Sequence, residues 1–208
     1  MAASAAGTLQ ETVADDAAAE EQVVARARRF DEAALAEIYS TYYPKIYNYG
    51  LVHLGNVQAA EDLASEVMLR VLESIDRYHF RGVAFSAWVF RIARNRLIDL
   101  QRRRRRRREV DLPQSLAGPD NATQHVAEQS LDRSQILMAL AQLTEEQRQV
   151  MVLRFLQGFD NATAGRILGR SQSAVKSLQH RALNSMRKAM LEEPLKLNYG
   201  MGLAPEQV

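Results

Sequence analysis

The chain contains no cysteine, which excludes disulfides, thiol redox chemistry and cysteine-rich zinc sites. It has no apolar run approaching the roughly 20 residues that a membrane span requires. Residues 1–25 carry five acids and no base until Arg26, unlike a secretory signal or a transit peptide. The expected compartment is therefore the cytoplasm, with no membrane partner. No glycine-rich loop stands ready to cradle a phosphate, and His53, His79, His125 and His180 fall on separate segments without metal-ligand spacing. An enzyme is the weakest reading of such a chain, and neither cofactor nor metal is expected.

What is present is ordinary globular material, 47% hydrophobic and 25% charged, in 208 residues. That is room for one large domain or two small ones. The formal net charge is only +2, but its distribution is uneven. Residues 91–108 hold ten arginines against one acid, Asp99, whereas residues 109–130 hold four acids and no lysine or arginine. Residues 166–188 then carry six bases and no acid. Two basic blocks separated by an acidic connector point to two contacts with a polyanion.

The pattern along the chain is helical. An Ala- and acid-rich stretch to about residue 25 lacks bulky residues and reads as a frayed tail. Phe30, Ala33, Ala34, Ile38, Tyr39 and Tyr42 recur at helical spacing, with a break expected at Pro44 and a stop at Gly55-Asn56. Residues 58–76 give the clearest helix, with Leu63, Val67, Met68, Val71, Leu72 and Ile75 on one side. A further helix is predicted from near Ala84 into the arginine run. Pro113, Gly118 and Pro119 mark residues 109–130 as a linker. Helical spacing resumes at Leu131 and persists to about Met190, leaving 191–208 as a tail. The expected fold is all-α: two small helical domains, residues 26–108 and 131–190, joined by an extended linker.

In the second domain, residues 162–183 fit a helix-turn-helix. Gly169 suits a turn that needs positive φ, Gly165 lets the second helix approach, and Val175 and Leu178 supply its core face. Ser171 can cap that helix, whose other face offers Gln172, Ser173, Lys176, Ser177, Gln179, His180 and Arg181. Such a helix enters the major groove, where these groups meet phosphates and base edges. Upstream, Thr144 and Gln147 form a candidate capping box, with Val150, Met151, Leu153, Phe155 and Leu156 as the expected core face.

In the first domain, Tyr78, Phe80, Phe85 and Trp88 precede Arg91, Arg94, Asn95 and Arg96. Rings beside guanidinium groups are what single-stranded nucleic acid requires, although Phe85 and Trp88 can equally pack the helix.

Taken together, the chain resembles the sigma-70 family of RNA polymerase sigma factors, in its extracytoplasmic-function group. The resemblance rests on Glu61-Asp62-Leu63-Ala64-Ser65-Glu66-Val67, on the string from Phe85 to Asp99, on Leu143 to Arg148, and on Ile167 to Ser171 with Ala174 to Ser177. It implies that Asp62, Glu66 and Arg70 dock on the coiled coil of the largest polymerase subunit. It also implies that Tyr78, Phe80, Phe85, Trp88, Arg91, Arg94, Asn95 and Arg96 read and open the −10 element. The second domain would sit on the polymerase flap and read the −35 element with Arg170, Ser171, Gln172, Ser173, Lys176, Ser177, His180 and Arg181. Core RNA polymerase and promoter DNA are thus the implied partners, and an anti-sigma protein stays open. The chain departs from the family pattern at Ser65 and at Thr163-Ala164-Gly165.

Linker arithmetic constrains this reading. Twenty-two residues span about 73–79 Å fully extended but about 23–28 Å as a flexible coil. Elements about 17 base pairs apart, as the resemblance implies, lie about 58 Å apart along B-form DNA. The connector bridges them only if held extended. Two rivals stay open: a stand-alone helix-turn-helix regulator, which leaves the Glu61 to Val67 helix unexplained, and an RNA-binding or structural protein using the arginine run alone. Shortening the Arg102–Arg108 run should reduce the slope of log affinity against log salt by about 0.9 per lost phosphate contact; an unchanged slope in a DNA titration would make the run a solvated flank.

Overall fold

The computed structural model describes residues 19–80, 83–110 and 131–192, and these form an all-helical assembly. The linker and tail readings at 1–18, 111–130 and 193–208 lie outside the described residues. Helix α1 covers residues 19–27, where a frayed tail was expected. Val24 and Ala27 are buried in the core, and the Tyr42 hydroxyl bonds to Glu20. Small apolar side chains, Val23 among them, and polar ties from Glu20 and from Arg26 to Glu37 seat this segment, even though its composition lacks bulk.

Helix α2 runs from Glu32 to Leu54. Asp31 caps it, accepting from the Ala34 amide at 2.8 Å, and Gly55 closes it at φ 62°. Phe30 lies outside the helix at positive φ, exposed, so it does not join the apolar stripe. Pro44 does not break α2. It sits on the exposed side, where the Ser40 carbonyl it leaves without an amide partner faces water. The buried stripe Ala34, Ile38, Tyr42, Ile46, Tyr49, Gly50 and His53 is thus continuous across it.

Helix α3, Val57–Ser74, is capped by Asn56 and followed by a 3₁₀ turn, Ile75–Arg77. Gly50 lets α2 approach closely: a Cβ there would stand 3.0 Å from Leu63 and 3.2 Å from the Ala60 backbone. Helix α4, Phe85–Val110, carries the whole arginine run. Its Phe85, Val89, Phe90, Ala93 and Leu97 are buried, while Arg102 to Arg106 are exposed.

The second unit comprises α5 (Leu131–Ala141), α6 (Glu145–Met151), α7 (Asn161–Leu168) and α8 (Gln172–Glu192). Thr144 and Gln147 make the capping box of α6. Residues Val152–Leu156 then wind as a π-turn, closed by the Gln157 amide on the Val152 carbonyl. The extra residue per turn shifts the helical phase. Val150, Met151 and Leu153 stay buried as expected, but Phe155 and Leu156 are turned outward at 56% and 53% exposure.

The helix-turn-helix of α7 and α8 forms as the spacing predicts. Gly169 adopts φ 64°, and the Ser171 hydroxyl accepts from the Ala174 amide at 3.2 Å. Gly165 is needed for the turn itself, because a Cβ there would meet the Arg170 carbonyl oxygen at 2.7 Å. The Arg170 amide in turn donates to the Gly165 carbonyl at 2.9 Å.

The two units do not stand apart. Val150, Val152, Leu153, Ala164, Ile167 and Leu168 share one apolar core with α2, α3 and α4. Gly165→Ala should destabilise the second unit by about 1–3 kcal/mol, since the obstacle is backbone; chemical denaturation checks this, and an unshifted midpoint would mean the turn has room to yield.

Candidate nucleic-acid interface

The sequence-predicted residues fall into three places. Those expected to read the −35 element lie together on α8 and the turn before it. Ser171, Gln172, Ser173, Lys176, Ser177, His180 and Arg181 are all exposed, while Val175, Leu178 and Ala182 on the opposite face are buried. This division arises because α8 packs one stripe on α6 and α7 and leaves the other to solvent. Arg170 is exposed and pairs with Glu146.

The −10 candidates are split. Tyr78 and Phe85 are buried, edge to face at 5.1 Å, and Phe85 also meets Tyr42 at 5.5 Å. The Tyr78 hydroxyl donates to the Val83 carbonyl at 2.8 Å, tying down the loop, and burial with Glu20 and Glu21 nearby pushes it up to about 12. Trp88 is half-buried against both rings. Phe80 is 62% exposed. These three rings therefore pack together, while Phe80 projects into solvent. Arg91 and Asn95 are exposed, Arg94 donates to Gln149 at 3.3 Å, and Arg96 pairs with Glu66.

The docking candidates lie beside them. Asp62, Glu66 and Arg70 are exposed on α3; Asp62 accepts from Gln58 at 3.2 Å and Arg70 pairs with Glu73 at 3.5 Å. Glu66, Leu69, Arg70, Glu73, Ile92, Asn95, Arg96 and Asp99 line an open groove between α3 and α4. Two residues assigned from sequence to DNA, Asn95 and Arg96, thus share a surface with the docking set. Hydrogen bonding to Glu66 raises the Arg96 guanidinium further.

Sequence reasoning missed a polar cluster at the junction of the two units. His53 on α2 is fully buried, with Nδ1 2.9 Å from Oε1 of Glu145 at the start of α6. Tyr49 lies against the His53 ring at 4.5 Å, and burial with Glu145 nearby raises its hydroxyl. Gln149 donates to Glu145 at 3.2 Å, and Arg148 pairs with it at 3.6 Å. Phe90 meets Phe159 edge to face at 5.3 Å. The only sequence signal was a histidine four residues after a tyrosine on the apolar stripe of α2; nothing local names a partner about ninety positions away.

Burial alone would push the Glu145 carboxyl up, but His53, Gln101 and Arg148 outweigh it and hold it at about 2. A carboxyl depressed in the folded state adds stability above its ordinary value of 4.5, and loses that stability as pH falls toward 2. Acid titration of the thermal midpoint should therefore show a decline through that window that Glu145→Gln reduces. Equal declines in both chains would show that other carboxylates carry it.

Among the described residues no His, Cys, Asp and Glu group could hold a metal ion, and no helix is long and apolar enough to cross a membrane. The family model for sigma-70 region 2 matches residues 38–107, and that for sigma-70 region 4 matches residues 139–188. The chain is 31% identical over 180 residues to the ECF RNA polymerase sigma factor BldN of Streptomyces coelicolor, covering 86% of this chain and 68% of that protein. It is 30% identical over 169 residues to the ECF RNA polymerase sigma factor SigL of Mycobacterium tuberculosis, covering 81% and 96%. In fold it is similar to the sigma factor RpoE solved in complex with the anti-sigma factor NepR from Bartonella quintana. That match has a TM-score of 0.62 at 22% identity, covering 76% of this chain and 97% of that one. A region 2 unit followed by a region 4 helix-turn-helix, with 30–31% identity to relatives over 81–86% of this chain, makes it a member of the ECF RNA polymerase sigma factor family.

Proposed function

We propose that the two helical units divide promoter recognition between them on core RNA polymerase. The unit spanning residues 26–108 docks through Asp62, Glu66 and Arg70 and engages the −10 element; the unit spanning residues 131–190 reads the −35 element. The observation that carries this is the face of α8, where Lys176, Ser177, His180 and Arg181 are exposed opposite a buried stripe. No acid falls between residues 166 and 188 to oppose phosphate. Lys and Arg supply positioning contacts to phosphate, while Arg181 offers paired donors and Gln172 a donor and an acceptor suited to base edges.

In the first unit the roles divide by exposure. Phe80, Arg91 and Asn95 are presented to solvent and meet the strand directly. Trp88 is half-exposed over Tyr78 and Phe85, which hold it from below. A base that stacks on Trp88 or Phe80 gains about 1–3 kcal/mol, enough to help offset unpairing. The groove between α3 and α4 is where the largest polymerase subunit would seat. The Arg102–Arg106 extension contributes non-specific attraction to the duplex, being exposed throughout. An inhibitory protein of the anti-sigma kind is a further partner class for this chain, as NepR is for its structural neighbour. The chain acts by directing the polymerase and supplies no catalytic group of its own.

Run-off transcription with purified core enzyme, followed by mapping of start sites, tests this reading. Arg181→Ala should weaken −35-dependent initiation by about 1–3 kcal/mol in apparent affinity, and unchanged initiation would remove Arg181 from the contact set. Trp88→Ala should impair promoter opening more than closed-complex binding, because stacking begins only when bases are exposed. Equal losses in both assays would assign Trp88 to packing alone.

A further inference from the structure

Phe30 occupies a position that both its backbone and its side chain disfavour. Among the described residues it is the only one other than glycine with positive φ, at 62°. The turn closes α1: the Phe30 amide donates to the Ala27 carbonyl at 2.9 Å and the Asp31 amide to the Arg26 carbonyl at 3.3 Å. Glycine takes this conformation without strain, and Gly55 and Gly169 do so at the ends of α2 and α7. A phenylalanine there crowds its own backbone. Its ring gains no burial in return. At 66% it is the most exposed large apolar side chain among the described residues. Apolar residues exposed singly are ordinary, but one held out in a strained turn points to a contact made with something else.

The surroundings indicate what that is. Arg29, beside it in the chain, is exposed. Arg28 is exposed as well and donates to the Asp76 carbonyl at 3.3 Å. Asp76 lies two residues before Tyr78 and four before Phe80, so this side chain ties the turn to the segment that presents Phe80. The start of α1 reaches the same region, since Glu20 bonds to Tyr42 and the Tyr42 ring meets Phe85 edge to face at 5.5 Å. Asp31, the acid next to the ring, is engaged in capping α2. An outlying ring with a guanidinium beside it therefore borders the aromatic cluster of the first unit. That pairing suits single-stranded nucleic acid, where a base stacks on the ring and the cation follows the backbone.

We infer that Phe30 is a further base-stacking residue. It takes a nucleotide of the unpaired strand that flanks those held at Phe80 and Trp88, with Arg29 on the adjoining phosphate. This inference deepens the promoter reading above and rests on it. Stacking begins only once the strand is unpaired, so Phe30 acts on the opened promoter.

The test uses polymerase reconstituted from core enzyme and the full chain. It is titrated with single-stranded DNA from a mapped promoter: a short oligonucleotide confined to the −10 element, and two lengthened by a few nucleotides on its upstream or its downstream side. Phe30→Gly should weaken binding of one lengthened oligonucleotide about 5- to 150-fold, the scale of one stacked base. The short oligonucleotide should bind as before, and Phe30→Tyr should retain full affinity on all three. The slope of log affinity against log salt should be unchanged in Phe30→Gly, because a ring neutralises no phosphate, whereas Arg29→Gln should reduce it by about 0.7. The thermal midpoint of the Phe30→Gly chain should hold or rise, since glycine relieves the positive φ.

A lowered midpoint would make Phe30 a packing residue and overturn the inference. Unchanged binding of every oligonucleotide, or an equal loss on the short one, would also overturn it. A loss of affinity for core polymerase with DNA binding intact would assign the ring to a protein contact instead. In each of these cases the promoter reading stands as long as Trp88→Ala still weakens the short oligonucleotide. If Trp88→Ala and Phe80→Ala leave all three oligonucleotides bound as before, the promoter reading itself fails.

Discussion

Helix α4 is the constraint on which the remaining structure depends. Its buried stripe, Phe85, Val89, Phe90, Ala93 and Leu97, closes the core of the first unit and receives the second. The same helix must also carry seven consecutive arginines. Like charges one turn apart each oppose the helix by about 0.2–0.5 kcal/mol. Burying the Phe85, Val89, Phe90 and Leu97 side chains contributes about 1.5–3 kcal/mol apiece. Packing wins, so the helix persists into the charge run and leaves Arg102 to Arg106 exposed around it.

That arrangement gives one helix two differently occupied faces. On one side its polar residues, Asn95, Arg96 and Asp99, complete the groove with Glu66 and Arg70 of α3. On the other, Phe90 and Arg94 meet Phe159 and Gln149. The surfaces proposed for the polymerase and the promoter and the observed contact with the second unit therefore lie within a few turns of one another.

The second unit shows how backbone detail sets side-chain direction. The turn between α7 and α8 is tight enough that the Arg170 carbonyl occupies the space of a Gly165 Cβ. A small residue there is a steric requirement, which outweighs the helix-propensity penalty of about 1 kcal/mol for glycine. The π-turn at Val152–Leu156 has the opposite character. It rotates Phe155 and Leu156 out to solvent and brings the following loop round so that Phe159 reaches α4.

The sequence by itself determined the helices, their caps and the helix-turn-helix. These depend on neighbours three or four positions apart, and Asn56, Thr144, Ser171, Gly169 and Val175 carry that information locally. It also determined the family, because the Phe85 to Asp99 string and the α8 face are contiguous. Only the tertiary structure decided that α1 would be seated, that Pro44 would ride within α2, and that Tyr78 and Phe85 would turn inward beneath Phe80. It alone joined His53 to Glu145 and Phe90 to Phe159. Those contacts depend on which faces meet across a separation of seventy to ninety residues, and periodicity along one helix reports that a face is apolar without reporting what will cover it.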